Sequence, residues 1–401
     1  MAHATSQVSE RFRPFGTTIF AEMTKLALEH DAINLAQGFP DFDGPEFVKR
    51  EAVRAIEAGD NQYARSPGQP LLAKAIASYF ERLSGRAVDP MSQVTVTSGC
   101  TEALAATFLG LIDPGDEVIL FEPYYDSYRA GVSMAGGVAR FVPLTPGEDG
   151  RFGFDEDELR GAFSGRTKAI VVNTPHNPTG KVFTRDELAL IGELCTQHDV
   201  IAITDEVYER LTFSPDLPHL RLATFDGMWD RTLTLSSLGK SFSLTGWKIG
   251  WAIGPEHLTA GVRSAHQFLT FASATPLQAG AAAALQADDE YIDALWTDYN
   301  EKRTYLCEAL EEIGFRVHWP EGTYFVMADH SPFGFGDDVA FCRNLTEHVR
   351  VAAIPPSVFY ANPEHGRSLV RFAFCKEMAT LEESVRRLRG LRVGASGARR
   401  G

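Results

Sequence analysis

The chain reads as an α/β protein: a large domain built on a mostly parallel seven-stranded sheet sandwiched by helices, plus a smaller α+β domain. Three observations predict it. Between about residues 90 and 255, short β-branched or apolar runs alternate with helical patterns, as in a parallel sheet covered on both faces. Beyond about residue 285 the order changes to one long polar-apolar helix followed by mixed strands and helices. The residues suited to chemistry fall just past the predicted strand ends, where ligands collect in open α/β sheets.

Taken in order, the first ~30 residues are polar and mixed and read as an arm. Sheet strands are expected at 94–97, 117–121, 138–142, 169–173, 200–204, 232–235 and 249–253. Amphipathic helices are expected between them, among others at 102–111 and 186–197. One helix is expected over about 285–313, then strands at 316–319 and 324–328, a helix at 338–349, strands at 351–354 and 369–374, and a helix at 380–391. This gives an N-terminal arm and part of the small domain at 1–40, a large domain at 41–290, and a C-terminal small domain at 291–401.

Composition narrows the function. The 401 residues are 44% hydrophobic and 23% charged, an ordinary globular balance. A formal net charge of −15 argues against a nucleic-acid backbone as main partner. The five cysteines are scattered without a Cys-x-x-Cys pair, which suits a reducing compartment and offers no zinc motif. No secretory signal is seen, and no apolar run is long enough to span a bilayer. A cytoplasmic protein without metal, membrane or nucleic-acid partner is expected.

Lys240 follows the strand at 232–235 in the run Ser236-Ser237-Leu238-Gly239-Lys240-Ser241. A lysine delivered at a strand end among small and hydroxyl residues is a poor core residue. It is well placed to form an imine with an aldehyde cofactor. In isolation it would read as a surface charge; four other segments reverse that reading. Ser98-Gly99-Cys100-Thr101 opens a helix after a strand, so its backbone N–H groups suit a phosphate, though the same run serves as an ordinary capped turn. In Glu122-Pro123-Tyr124-Tyr125-Asp126, a tyrosine at a strand end can lie on an aromatic heterocycle or simply pack.

Asn173-Thr174-Pro175-His176-Asn177-Pro178-Thr179-Gly180 forms a rigid turn. It can aim the Asn177 amide at a phenolate oxygen; His176 reads as structural. Asp205 ends an apolar strand and needs a cation there, such as a protonated pyridine nitrogen. Tyr208 can share the phenolate with Asn177. Ser237 and Lys248 suit a phosphate. Arg371, inside the apolar run Val370-Arg371-Phe372-Ala373-Phe374, is costly to bury unless it grips an anion, and its fork fits a carboxylate. An internal ion pair is the alternative.

Together and in this order, the segments resemble the class I/II aminotransferases of pyridoxal-phosphate fold type I, from about Ile33 to the last helix. The runs Asn34-Leu35-Ala36-Gln37-Gly38-Phe39-Pro40-Asp41-Phe42 and Asn61-Gln62-Tyr63-Ala64-Arg65 are similar to the kynurenine, glutamine and methionine transaminase branch. The resemblance implies pyridoxal 5'-phosphate as cofactor and ping-pong transfer of an amino group between an L-amino acid and a 2-oxo acid. It implies Lys240, Asp205 and Tyr208 as catalytic residues. Lys240 would carry the cofactor, Asp205 would meet its ring nitrogen, Asn177 and Tyr208 its 3-oxygen, and Tyr125 its ring face. Gly99, Cys100, Thr101, Ser237 and Lys248 would hold the phosphate. Gly38, Asn177 and Arg371 would bind the substrate carboxylate.

The family also implies a homodimer, with Tyr63 and Phe271 contributed across the interface. The 268–275 loop lacks the histidine that aromatic-specific members often carry there, which puts a kynurenine preference in doubt. Phe39, Tyr124 and Phe359 lean toward glutamine, methionine or aromatic donors. Cysteine-conjugate β-elimination and succinyl-diaminopimelate formation are the alternatives within enzymes. A cofactor-binding regulatory module is the alternative outside them. A nicotinamide site is weaker still, because no Gly-x-Gly-x-x-Gly opens a helix.

Overall fold

The computed structural model describes residues 8–391. The outer ends of the two terminal expectations, 1–7 and 392–401, lie outside the described residues. The central sheet has seven strands: β1 (Val94–Ser98), β2 (Glu117–Glu122), β3 (Val138–Pro143), β4 (Thr167–Asn173), β5 (Ile201–Asp205), β6 (Thr232–Ser237) and β7 (Ile249–Ile253). Their spatial order is β1-β7-β6-β5-β4-β2-β3. The β6-β5-β4-β2-β3 pairs are parallel, and β7 runs antiparallel to both its neighbours. The inner strands are buried on both faces, which is why they read as continuous apolar runs rather than alternating ones.

The longer helices are α1 (Ile19–Glu29), α2 (Glu46–Glu57), α3 (Pro70–Ser84), α4 (Gly99–Leu111), α5 (Asp126–Ala135), α6 (Arg185–His198), α7 (Glu256–Leu269), α8 (Thr275–Gln286), α9 (Glu290–Ile313) and α10 (Met378–Leu388). A second, antiparallel sheet joins β8 (Arg316–His318), β9 (Phe325–Asp329) and β10 (Leu369–Ala373). One apolar cluster links α1 (Met23, Ala27) with Leu306 and Phe315 and with Phe372 of β10.

Three expectations are corrected. The N-terminal segment contains α1, capped by Thr18 and buried at Met23 and Ala27, so part of the presumed arm is packed structure. The long helix expected over about 285–313 is a single helix, α9, but it begins at Glu290, after α8 has ended at Gln286. Asp288 and Asp289 precede it and acidic residues fill its first turn, as suits a helix N-terminus. The helix at 338–349 is α-helical only over Asp338–Asn344 and continues as a π-type turn over Leu345–Val349.

The sheet register decides where the chemistry gathers. Asn173 pairs with Asp205 at the ends of β4 and β5, and Asp205 with Leu235 of β6. Gly250 of the reversed β7 lies beside Ser237, and Ile249 beside Ser98. Because β7 runs backwards, Lys248 at its start shares an edge with the carboxyl ends of its neighbours.

Candidate active site

A cleft of about 280 Å³ opens at this edge. Its lining includes Gly38, Gly99, Cys100, Thr101, Tyr125, Asn177, Asp205, Tyr208, Ser237, Lys240 and Lys248. Every one of these is singled out by the sequence, although they come from seven separate chain segments.

Lys240 is delivered by a single helical turn, Leu238–Ser241, directly after β6. Its Nζ donates to the Tyr324 hydroxyl at 2.9 Å and lies 3.3 Å from the Gly38 carbonyl. The Tyr324 hydroxyl in turn donates to the same carbonyl at 2.6 Å. The amine faces the cleft but is otherwise enclosed by protein. Burial is the main reason its pKa falls from 10.5 to about 8, helped by the positive charges of Arg371 and Lys248 and opposed by Cys375 and Asp205.

Asp205 ends β5 and is buried. It accepts from the Tyr128 hydroxyl at 2.7 Å and from the Val207 N–H at 3.3 Å. Burial pushes its carboxyl up, opposed by these bonds and by one from the Cys100 thiol. The Cys100 side chain therefore interacts with Asp205. Asn173 ties the neighbouring loop to this strand end. Its Nδ2 donates to the Asp205 carbonyl at 2.9 Å, and its Oδ1 accepts from the Asn177 N–H at 2.7 Å.

Arg371 lies in β10 and is 2% exposed. Its Nη1 donates to Asn177 Oδ1 at 3.1 Å and its Nη2 to the Ala36 carbonyl at 2.8 Å, while Nε has no partner. The guanidinium stacks on Phe325 at 4.1 Å and approaches Phe20 at 5.3 Å. Burial lowers its pKa to about 10, which still leaves it cationic at neutral pH. With its oxygen committed to Arg371, Asn177 keeps its NH₂ as the available donor. The Tyr208 and Tyr324 rings meet edge-on at 5.2 Å.

The phosphate-sized end of the cleft is a cradle. Gly99 has φ +73°, and a Cβ there would sit 3.0 Å from Lys248 Nζ, so only glycine serves. Lys248 is itself in the left-handed region (φ 55°), with Nζ 3.5 Å from Thr101 Oγ1. Among the described residues Lys240, Asp205 and Arg371 have no partner of opposite charge within 4 Å; each is met by neutral groups only.

Some predicted residues are elsewhere. Tyr63 is 86% exposed and packs edge-on against Phe271 at 5.3 Å, outside the cleft. Of the three residues read as walls of a donor pocket, Phe39 lines the cleft. Tyr124 and Phe359 instead line a neighbouring cavity of about 400 Å³ behind Asp126 and Ser127. Buried His176 pairs with the Thr179 hydroxyl at 2.8 Å, and burial lowers its pKa to about 3, as befits a structural residue. Sequence reasoning misses Tyr324, Tyr128 and Asn173. Tyr128 lies one helical turn after Tyr125, a spacing that could flag it. Nothing local marks Tyr324.

Comparison with known proteins places the chain in a family. The family model "Aminotransferase class I and II" matches residues 30–388. A probable N-succinyldiaminopimelate aminotransferase of Mycobacterium tuberculosis is 49% identical over 388 residues, covering 94% of this chain and 97% of that one. The solved structure of N-succinyldiaminopimelate aminotransferase from the same organism has a TM-score of 0.93 at 48% identity, covering 95% of this chain and 99% of that one. An Escherichia coli structure with a methionine aminotransferase function has a TM-score of 0.91 at 40% identity, covering 96% and 99%. No helix among the described residues is long and apolar enough to cross a membrane.

Proposed function

The chain belongs to the class I and II aminotransferases, and from that premise we propose that Lys240, Asp205 and Arg371 form its reaction centre with pyridoxal 5'-phosphate as cofactor. One observation carries this reading: Lys240 and Asp205 line one cleft, Arg371 is bonded to Asn177 on its wall, and among the described residues none of the three has a partner of opposite charge within 4 Å. Such groups are costly to bury, and a ligand that completes them offsets the cost. The cofactor's ring nitrogen, its aldehyde carbon and the substrate's carboxylate are the three complements required.

The cleft's own residues fit that group. Gly99, Cys100, Thr101, Ser237 and Lys248 would hold the phosphate, with N–H groups at the start of α4 and one lysine charge. Tyr125 would cover the ring face, Asp205 would meet the ring nitrogen, and the Asn177 amide with Tyr208 would meet the 3-oxygen. When bound, pyridoxal phosphate supplies an aldehyde carbon for imine exchange and a ring that accepts electrons.

The remaining steps belong to side chains. Arg371, steadied by Asn177 and by stacking on Phe325, receives the substrate carboxylate in its fork and fixes the donor's orientation. Lys240 would take the proton from the donor's Cα and hand one to the cofactor's former aldehyde carbon in the same half of the exchange, and the reverse transfer would serve the 2-oxo acid. Burial keeps its amine basic near neutral pH without leaving it fully protonated. Tyr324 and the Gly38 carbonyl hold that amine at the cleft wall. Tyr128 holds the Asp205 carboxylate in place.

A homodimer completes the reading. Tyr63 and Phe271 form an exposed aromatic pair outside the cleft of their own chain, and we assign them to the partner's site. Phe39 at the cleft mouth favours uncharged donors such as methionine, glutamine or aromatic amino acids. A second reading, N-succinyldiaminopimelate as donor, is supported by the 49% identity to the Mycobacterium tuberculosis relative. The test is a panel of amino donors, N-succinyldiaminopimelate included, scored by conversion of the purified protein's aldehyde form to its amine form. Borohydride trapping with peptide mapping should label Lys240. A label elsewhere would refute the assignment.

A further inference from the structure

His266 lies fully buried in α7, and both of its ring nitrogens face acceptors. Nδ1 is 2.7 Å from Glu102 Oε1, and Nε2 is 2.7 Å from the Ser66 carbonyl. A carbonyl only accepts, so Nε2 carries a proton. Glu102 already receives the Ser98 N–H on one oxygen and the Thr270 hydroxyl on the other. Such a carboxylate is ionised, so Nδ1 donates as well. The pair is a buried imidazolium and carboxylate. Burial alone would lower the ring's pKa, but the Glu102 bond and charge outweigh it and raise it; the same contact holds Glu102 down against its own burial. The nearby cations are engaged elsewhere. Arg263, one turn earlier, donates to Thr95 and to the Met91 and Val94 carbonyls, and Arg65 is turned to the Met91 sulfur.

The bonded groups come from three separate places. Glu102 is in the first turn of α4, next to the cradle at Gly99–Thr101. Ser66 lies three residues after Tyr63, and Thr270 directly precedes Phe271. We propose that His266 is a positioning residue whose imidazolium pins the first turn of α4 to the two segments carrying Tyr63 and Phe271. One buried ion pair thereby sets both the grip on the cofactor phosphate and the shape of the surface offered to a second subunit. This rests on the reading above that the α4 turn holds the phosphate. Without the ring's charge, Glu102 would leave a bare negative charge beside a dianion, opposing the attraction of the helix N-terminus.

Two measurements test it. In the cofactor-free protein with ¹⁵N-labelled histidine, the His266 ring should keep both N–H groups at neutral pH, where an ordinary histidine is mostly neutral. In Glu102→Gln the same ring should become neutral. A neutral His266 ring in the wild type at pH 7 overturns the proposal. Separately, His266→Gln should weaken pyridoxal phosphate binding, read by fluorescence, about tenfold and shift the dimer toward monomer in sedimentation. The double variant Glu102→Gln/His266→Gln should recover the affinity, because the bare charge is gone; a purely structural role would give no such rescue. Unchanged affinity in a folded His266→Gln protein, or failure of the rescue, overturns the coupling. Failure of the wild type to take up pyridoxal phosphate would strike the reaction reading alone, and the ring's protonation would still decide this one.

Discussion

Replacing Arg371 with lysine separates charge from geometry at the proposed carboxylate site. The guanidinium is fixed by two neutral acceptors, Asn177 Oδ1 at 3.1 Å and the Ala36 carbonyl at 2.8 Å, and by stacking on Phe325. Its Nε remains without a partner. A carboxylate entering that fork makes two parallel charge-assisted hydrogen bonds, each worth about 1.5–3 kcal/mol net. Lysine keeps the positive charge but offers one point contact and no planar stack. Losing one such bond, about 2 kcal/mol, corresponds to roughly thirtyfold in kcat/KM. The assay is single-turnover conversion of the aldehyde form with methionine or glutamine, run beside a simple amine that has no carboxylate. The variant should lose about thirtyfold with the amino acids and react with the amine as the wild type does. An equal loss with both substrates, or a loss below about threefold with amino acids, would refute the reasoning. Either result would mean that the carboxylate binds elsewhere.

Other perturbations carry distinct signatures. Asp205→Asn removes a buried carboxylate that has only neutral partners. The cofactor-free protein should therefore melt at a higher temperature at neutral pH, while turnover falls by about a hundredfold or more; a loss below about tenfold, ~1.4 kcal/mol, would count against its role. The rate at which cofactor-free protein captures pyridoxal phosphate should rise with pH through about 8 rather than 10.5, because the lowered lysine pKa makes the nucleophilic amine available earlier. Tyr324→Phe deletes an oxygen that accepts from the ammonium form, so this midpoint should move to lower pH; a move upward would contradict the assigned donor. Mixing Lys240→Ala subunits with Tyr63→Ala subunits should restore activity if Tyr63 serves the partner's site, since the hybrid dimer then holds one intact centre. No recovery in hybrids verified by mass spectrometry would place Tyr63 in its own subunit's chemistry or in none.

Much of the fold is legible in the order of residues alone. All seven sheet strands can be placed to within a few residues, because strands buried on both faces announce themselves as short β-branched runs. What local pattern misses is local in a different sense. The start of α9 at Glu290 falls a few residues later than expected, and α1 is an amphipathic helix, buried at Met23 and Ala27, inside the segment read as an arm.

The sequence by itself determined which residues stand at strand ends. Asp205 ends, and Lys240, Asn177 and Gly99 follow, strands whose period and composition are encoded within about ten residues. Tertiary structure decided which of them meet. Only the reversed direction of β7 carries Lys248 to the cradle, only the packing of β10 brings Arg371 to Asn177, and only the docking of α7 on α4 sets His266 against Glu102. The physical reason is that backbone preference is a property of neighbours in the chain. The partner of a buried charge is instead fixed by strand register and side-chain packing between segments far apart in sequence.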